Sequence, residues 1–192
     1  MREALHGPLR VWLFNCALAL TCAVVWAFAV GRFDEPAFVR GPRLSWWAIG
    51  LAFYFAEVVV VHLQFRKQAH TLSLTEIGLT LGLLLGAPAG LLLGQLAGTF
   101  IALVVNRWKS QRQLVRLAFN LAELPLCSGI ALVIFRSLAR SGDSAPRIWV
   151  LVLFACAVAH IVGILLVSAV IAIAEDRFHA PQLRTGYRLE EE

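Results

Sequence analysis

Residues 77–105 read IGLTLGLLLGAPAGLLLGQLAGTFIALVV. Within this stretch Gly78, Gly82, Gly86, Gly90, Gly94 and Gly98 recur at every fourth position, and Pro88 divides them. On an α-helix, positions i and i+4 share a face, so Gly90, Gly94 and Gly98 clear a groove in which another backbone can come close. Proline with flanking glycines at Gly86-Ala87-Pro88-Ala89-Gly90 makes a tight break, so the series is not one straight face. The stretch therefore predicts a short third helix over about Ser73–Leu85 and a fourth over about Ala89–Val105. Three uses of the glycine face stay open: ordinary packing in one bundle, a tight seam within or between chains, and a backbone-lined ligand groove.

Composition sets the solvent. The 192-residue chain is 59% hydrophobic and 15% charged, against roughly 45–50% and about 25% in a typical globular chain. Its mean hydropathy is +0.75. These values exclude an ordinary soluble domain. At about 20 residues per span, the length allows about six helices with short loops and no separate soluble catalytic domain. The remaining expected helices are Val11–Val30, about Ser45–Phe65 opening on the interfacial pair Trp46-Trp47, about Leu114–Phe135, and about Ile148–Ala174. Only the third is too short to span comfortably. The first lacks a small-residue cleavage site and reads as a retained helix.

The expected architecture is thus all-α: a polytopic membrane bundle of six transmembrane helices over residues 1–174, followed by a polar tail or linker over 175–192. With the N-terminus inside, the inner Lys/Arg are Arg2, Arg10, Arg66, Lys67, Arg107, Lys109, Arg112, Arg116, Arg177, Arg184 and Arg188. The outer ones are Arg32, Arg40, Arg43, Arg136, Arg140 and Arg147. The positive-inside rule places both termini in the cytoplasm, and the expected location is a bacterial inner membrane. The net charge of +5 then sets orientation and gives no reason to expect nucleic-acid binding. Cys16, Cys22, Cys127 and Cys156 all lie in apolar runs without CxxC spacing, so they read as reduced thiols, not as a disulfide framework or metal site.

Ionisable and amide groups inside the spans carry the functional information, because an ionisable group at mid-membrane costs about 2.5–3.5 kcal/mol on insertion scales. They are Glu57, His62, Glu76, Gln95, Asn120, Glu123 and His160, with Asn106 near a helix end. If the second helix continues past the interface, His62, Arg66 and His70 form one stripe at steps of four, with Glu57 pointing elsewhere. On the fifth helix Arg112, Arg116, Asn120, Glu123 and Cys127 come at steps of four, four, three and four, a single face that must turn inward. Two readings of this set stay open. One is a buried network in which Arg116 or Arg66 neutralises Glu123 or Glu76. The other is a polar cavity for a small ligand, proton or ion, enclosed by helices two to five and lined by Glu57, Glu76, Asn120 and Glu123. Ser73-Leu-Thr-Glu76 also matches a capping box, which competes with a ligand role for Glu76. His160, alone in the sixth helix, reads as a hydrogen-bonded core histidine. Metalloprotease, CxxC, DxxD, GxSxG and P-loop motifs are missing from the sequence, so no catalytic residue, metal or cofactor is expected.

Glu57-x4-His62-x3-Arg66-x3-His70-x2-Ser73-Leu-Thr-Glu76-Ile77, then Gly94-Gln95-Leu96-Ala97-Gly98, a basic loop and Phe119-Asn120 together resemble the N-terminal multi-helix (MASE-like) sensor regions of bacterial signalling proteins. Those regions precede GGDEF, EAL, HD or histidine-kinase output domains. Gly86-Ala-Pro-Ala-Gly90 and then Gly94 are also similar to substrate-binding S components of energy-coupling-factor vitamin transporters. The resemblance covers roughly residues 45–140. It implies a six-helix bundle that detects a ligand or membrane state and signals through its last helix, with Glu57, His62, Arg66, Ser73, Glu76 and Asn120 as functional positions. No output domain follows the sixth helix here. Either the chain is a sensor domain of a longer protein, or it works alone or with a separate cytoplasmic output or ATPase partner; a homodimer is also open. The alternative function is a substrate-binding membrane subunit of a small-molecule, vitamin-like transporter.

Overall fold

The computed structural model describes residues 6–33, 43–58, 61–65, 68–72, 75–107, 111–140 and 142–175. Among the described residues six helices carry the fold: α1 (His6–Arg32), α2 (Trp46–Val58), α3 (Thr75–Leu85), α4 (Pro88–Arg107), α5 (Gln111–Leu138) and α6 (Ala145–Glu175). Between α2 and α3, β1 (Val61–Phe65) and β2 (Gln68–Leu72) pair as an antiparallel hairpin. Among the described residues four helices, α1, α4, α5 and α6, are long and apolar enough to cross a membrane. In such a chain the helix is the favoured form because it satisfies its own backbone hydrogen bonds where lipid offers no partner.

The expected second helix needs correction. It ends at Val58 after 13 residues, not near Phe65, and at about 1.5 Å per residue it is about 20 Å long. With the 11-residue α3 at about 16 Å, both fall short of a hydrocarbon core about 30 Å thick. The helical stripe His62, Arg66, His70 consequently does not form. His62 stands opposite Thr71, and His70 opposite Leu63, in the hairpin register. Arg66, the capping residue Ser73 and the tail beyond Glu175 lie outside the described residues.

The break at Gly86-Ala87 is where the sequence puts it. Leu85 closes α3, Pro88 opens α4, and the Ala87 carbonyl accepts from Leu91 N at 2.9 Å. A backbone bond from Leu44 N to Leu85 O, 3.0 Å, holds the start of α2 beside the end of α3. α2 and α4 run parallel, in contact along the glycine face. A Cβ on Gly94 would sit 2.5 Å from the Trp46 carbonyl oxygen and 3.0 Å from Gly50 N, and one on Gly98 would overlap the Gly50 carbonyl. A Cβ on Gly50 would lie 3.2 Å from Gly94 O. The seam is therefore backbone on backbone within the chain. Gly90 stands apart, with Trp46 Cβ 3.8 Å away as the nearest atom to an added methyl.

The second packing unit joins α1 to α5. They too run parallel: Asn15 Nδ2 donates to Val115 O at 3.3 Å, and Trp26 Nε1 to Pro125 O at 2.7 Å. Phe14 stacks on Phe119 with ring centroids 6.5 Å apart. α6 returns antiparallel to α5 after a turn at Gly142, whose φ of +97° suits glycine. Asp143 fastens that turn by accepting from Arg140 N at 2.9 Å and pairing with Arg147 at 3.3 Å. These directions put His6 and Glu175 at the same end of the bundle, with the hairpin.

The seam makes a position-specific prediction. Gly94→Ala and Gly98→Ala destabilise by about 1–3 kcal/mol or more, because overpacking here must move backbone. Gly90→Ala is neutral or up to about 1 kcal/mol stabilising, as alanine favours helix. Unfolding of the purified chain in micelles reads the difference, and equal losses at positions 90 and 98 would contradict the seam.

Candidate functional site: a cavity behind the short third helix

A cavity of about 350 Å³ lies among α2, α3, α4, α5 and α6. Glu76 and Thr80 on α3 meet His160 and Cys156 on α6, the Thr80 hydroxyl lying 3.8 Å from the Cys156 thiol. Further along α6, towards Glu175, Gly163, Ile164 and Val167 continue the lining. Most of the wall is apolar, with Phe53 and Leu79 among the side chains.

Glu123 is the centre of the site. It projects from α5 into the cavity and is only 8% exposed. Its Oε1 accepts from the Cys127 thiol, one turn on, at 3.4 Å. It also presses on α6 where that helix has no side chain: a Cβ on Gly163 would be 2.8 Å from the same oxygen. Gln95 reaches the cavity from α4, is 2% exposed, and its Oε1 has no hydrogen-bond partner. Ser128, also buried, completes the polar lining on α5. At the mouth, His160 Nδ1 lies 3.4 Å from Glu76 Oε1, with 64% and 46% of the two side chains exposed.

The expected residues divide accordingly. Glu76 and Glu123 line the cavity, together with Cys127 from the fifth-helix stripe. Glu57, half-buried near the end of α2, is outside the lining but near enough to Glu123 for the carboxylates to act on each other electrostatically. Asn120 is half-buried one turn before Glu123 and does not reach the cavity. His62 is in the hairpin, and Arg66 lies outside the described residues. Helix six, not counted among the enclosing helices from sequence, forms a whole wall. His160 is not a core histidine; it is exposed and paired with Glu76. The arginine expected for that pairing is elsewhere, Arg116 being exposed on α5. Gly163, Cys156 and Ser128 join the lining without having stood out in the sequence. A lone glycine between Val162 and Ile164 was the available signal for the first. Among the described residues no group of three or more His, Cys, Asp or Glu is arranged to hold a metal ion.

Comparison with protein-family models, with curated proteins and with solved structures finds no match, so the site rests on its own geometry.

That geometry separates a ligand site from a structural fastener. A buried carboxylate without a cationic partner is a cost to the fold, and an amide keeps the shape and the acceptor for Cys127. Glu123→Gln is therefore expected to leave the melting temperature unchanged or raise it. A destabilisation of about 2 kcal/mol or more, the scale of a broken buried ion pair, would mark Glu123 as a fastener.

Proposed function

We propose that the chain is a membrane-embedded sensory or regulatory input domain whose cavity receives a small ligand. In this reading all six helices lie within a bacterial inner membrane, α2 and α3 as shorter elements braced by the others, and both termini are cytoplasmic. The chain binds and transmits; it does not catalyse. The observation that carries the reading is the Glu123 carboxylate held at the cavity wall against the backbone of α6 at Gly163. Whatever occupies the cavity next to that carboxylate changes what α6 rests on, and α6 is the helix that leads to the cytoplasmic tail. Two packings of the bundle, biased by an occupant, suffice for signalling.

A substrate-binding transporter subunit is favoured by one specific feature, the mouth beside the short α3, through which a substrate could leave once α3 and α6 part. The two readings differ in the step after binding: movement of α6 in one, release of the substrate across the membrane in the other. An output enzyme fused after Glu192 and assayed in bacterial membranes is expected to change its activity at least threefold on Glu123→Gln and on Gly163→Ala, at equal expression. Unchanged output with both variants overturns the sensory reading. Saturable uptake of a small molecule by cells expressing the unfused chain moves the assignment to the transport subunit.

A further inference from the structure

We infer that the ligand is a small organic cation, an ammonium group on an apolar body. This rests on the ligand-binding reading above and narrows it to a chemical class. The Glu123 carboxylate lines this space from α5, and Gln95, whose buried Oε1 has no hydrogen-bond partner, lines it from α4. The sole hydrogen-bond donor to Glu123 among the described residues is the Cys127 thiol at 3.4 Å, a weak donor. Acceptor capacity is therefore in excess, and the missing partner is a donor.

Charge points the same way. The described residues lining the cavity include no lysine or arginine, and the basic side chain there, His160, already faces Glu76. An anion would be repelled by the Glu123 carboxylate, and a neutral apolar ligand would leave that carboxylate with the weak Cys127 donor alone, at a cost. An ammonium supplies three donors and a charge-assisted bond to the carboxylate, roughly twice as strong as a neutral one. A bare metal ion fits badly, since hard cations take six or more oxygen ligands and this wall is mostly apolar. The volume of about 350 Å³ falls in the roughly 300–1,000 Å³ range of small-molecule sites, leaving room for an apolar body against Phe53, Leu79 and Ile164.

The test uses three probes of one shape, benzylammonium, benzyl alcohol and benzoate, titrated calorimetrically into the full chain in lipid nanodiscs. Benzylammonium is expected to bind at least tenfold tighter than the other two and to lose at least tenfold on Glu123→Gln. Gly163→Ala, which keeps the carboxylate but displaces it from the α6 backbone, is expected to weaken benzylammonium severalfold and guards against misfolding of the first variant. If benzyl alcohol or benzoate binds as tightly, or if neither variant alters benzylammonium binding, the cation assignment is overturned while the cavity stands as a binding site. If none of the three binds, the cation assignment and the ligand-binding reading fail together.

Discussion

Everything in this bundle depends on α2 and α4 meeting backbone to backbone. Lipid tails are as apolar as leucine, so helices in a membrane gain little by hiding hydrophobic side chains from their surroundings and associate through close packing. Gly50, Gly94 and Gly98 supply that packing where a single added methyl would strike a carbonyl or amide of the facing helix. With α2 fixed on α4, the Leu44–Leu85 backbone bond fixes the end of α3, and the two-residue break at Gly86-Ala87 fixes its direction. From that anchor α3 reaches the cavity with Thr75, Glu76 and Leu79.

Within that space Glu123 is hard to explain as ordinary architecture. A carboxylate at depth that served only to pin helices would be expected to face a cation, as Asp143 faces Arg147 in the turn before α6. Arg116, on the same helix as Glu123, is exposed instead, and Glu76 has taken His160. What Glu123 has is a weak thiol donor and a glycine that makes way for it. An insertion cost of about 2.5–3.5 kcal/mol for an ionisable group at mid-membrane is thus offset by no cation among the described residues. That imbalance favours an occupant supplied from outside the chain.

The long helices were legible because hydropathy over 18 or more residues has few competing explanations, and the break at Pro88 because proline and glycine punctuate locally. The end of α2 was not legible. Val58-Val59-Val60-Val61 continues the apolar run without interruption, and apolarity does not distinguish helix from strand over a few residues. The β-branched side chains there favour a strand, which is why His62 belongs to the hairpin and not to a helical stripe. In the site, carboxylates inside apolar runs announced Glu76 and Glu123. Asn120 shares a helical stripe with Glu123, but that stripe from Arg112 to Cys127 is about 22 Å long and the cavity touches only part of it. Gly163 was illegible for a different reason: a glycine in an apolar helix looks like packing until the facing helix shows which side chain it admits.

The sixth helix turns these local facts into a mechanism under the sensory reading. Among the described residues it is held on one face: Val152, Ala155, Cys156 and Ala159 are buried, whereas Val150, Leu153, Phe154, Ile161 and Leu165 are exposed. A helix held on one side can slide or turn by the 1–2 Å typical of packed interfaces without emptying a core. The Glu123 contact at Gly163 sits on that held side, 12 residues or about 18 Å before Glu175. If an occupant draws the carboxylate away from Gly163, α6 loses a contact at a point where no side chain of its own can fill the gap, and the helix must settle into a new position. The rigid helix carries that displacement to its end, so the glycine that admits the carboxylate is also where binding becomes movement.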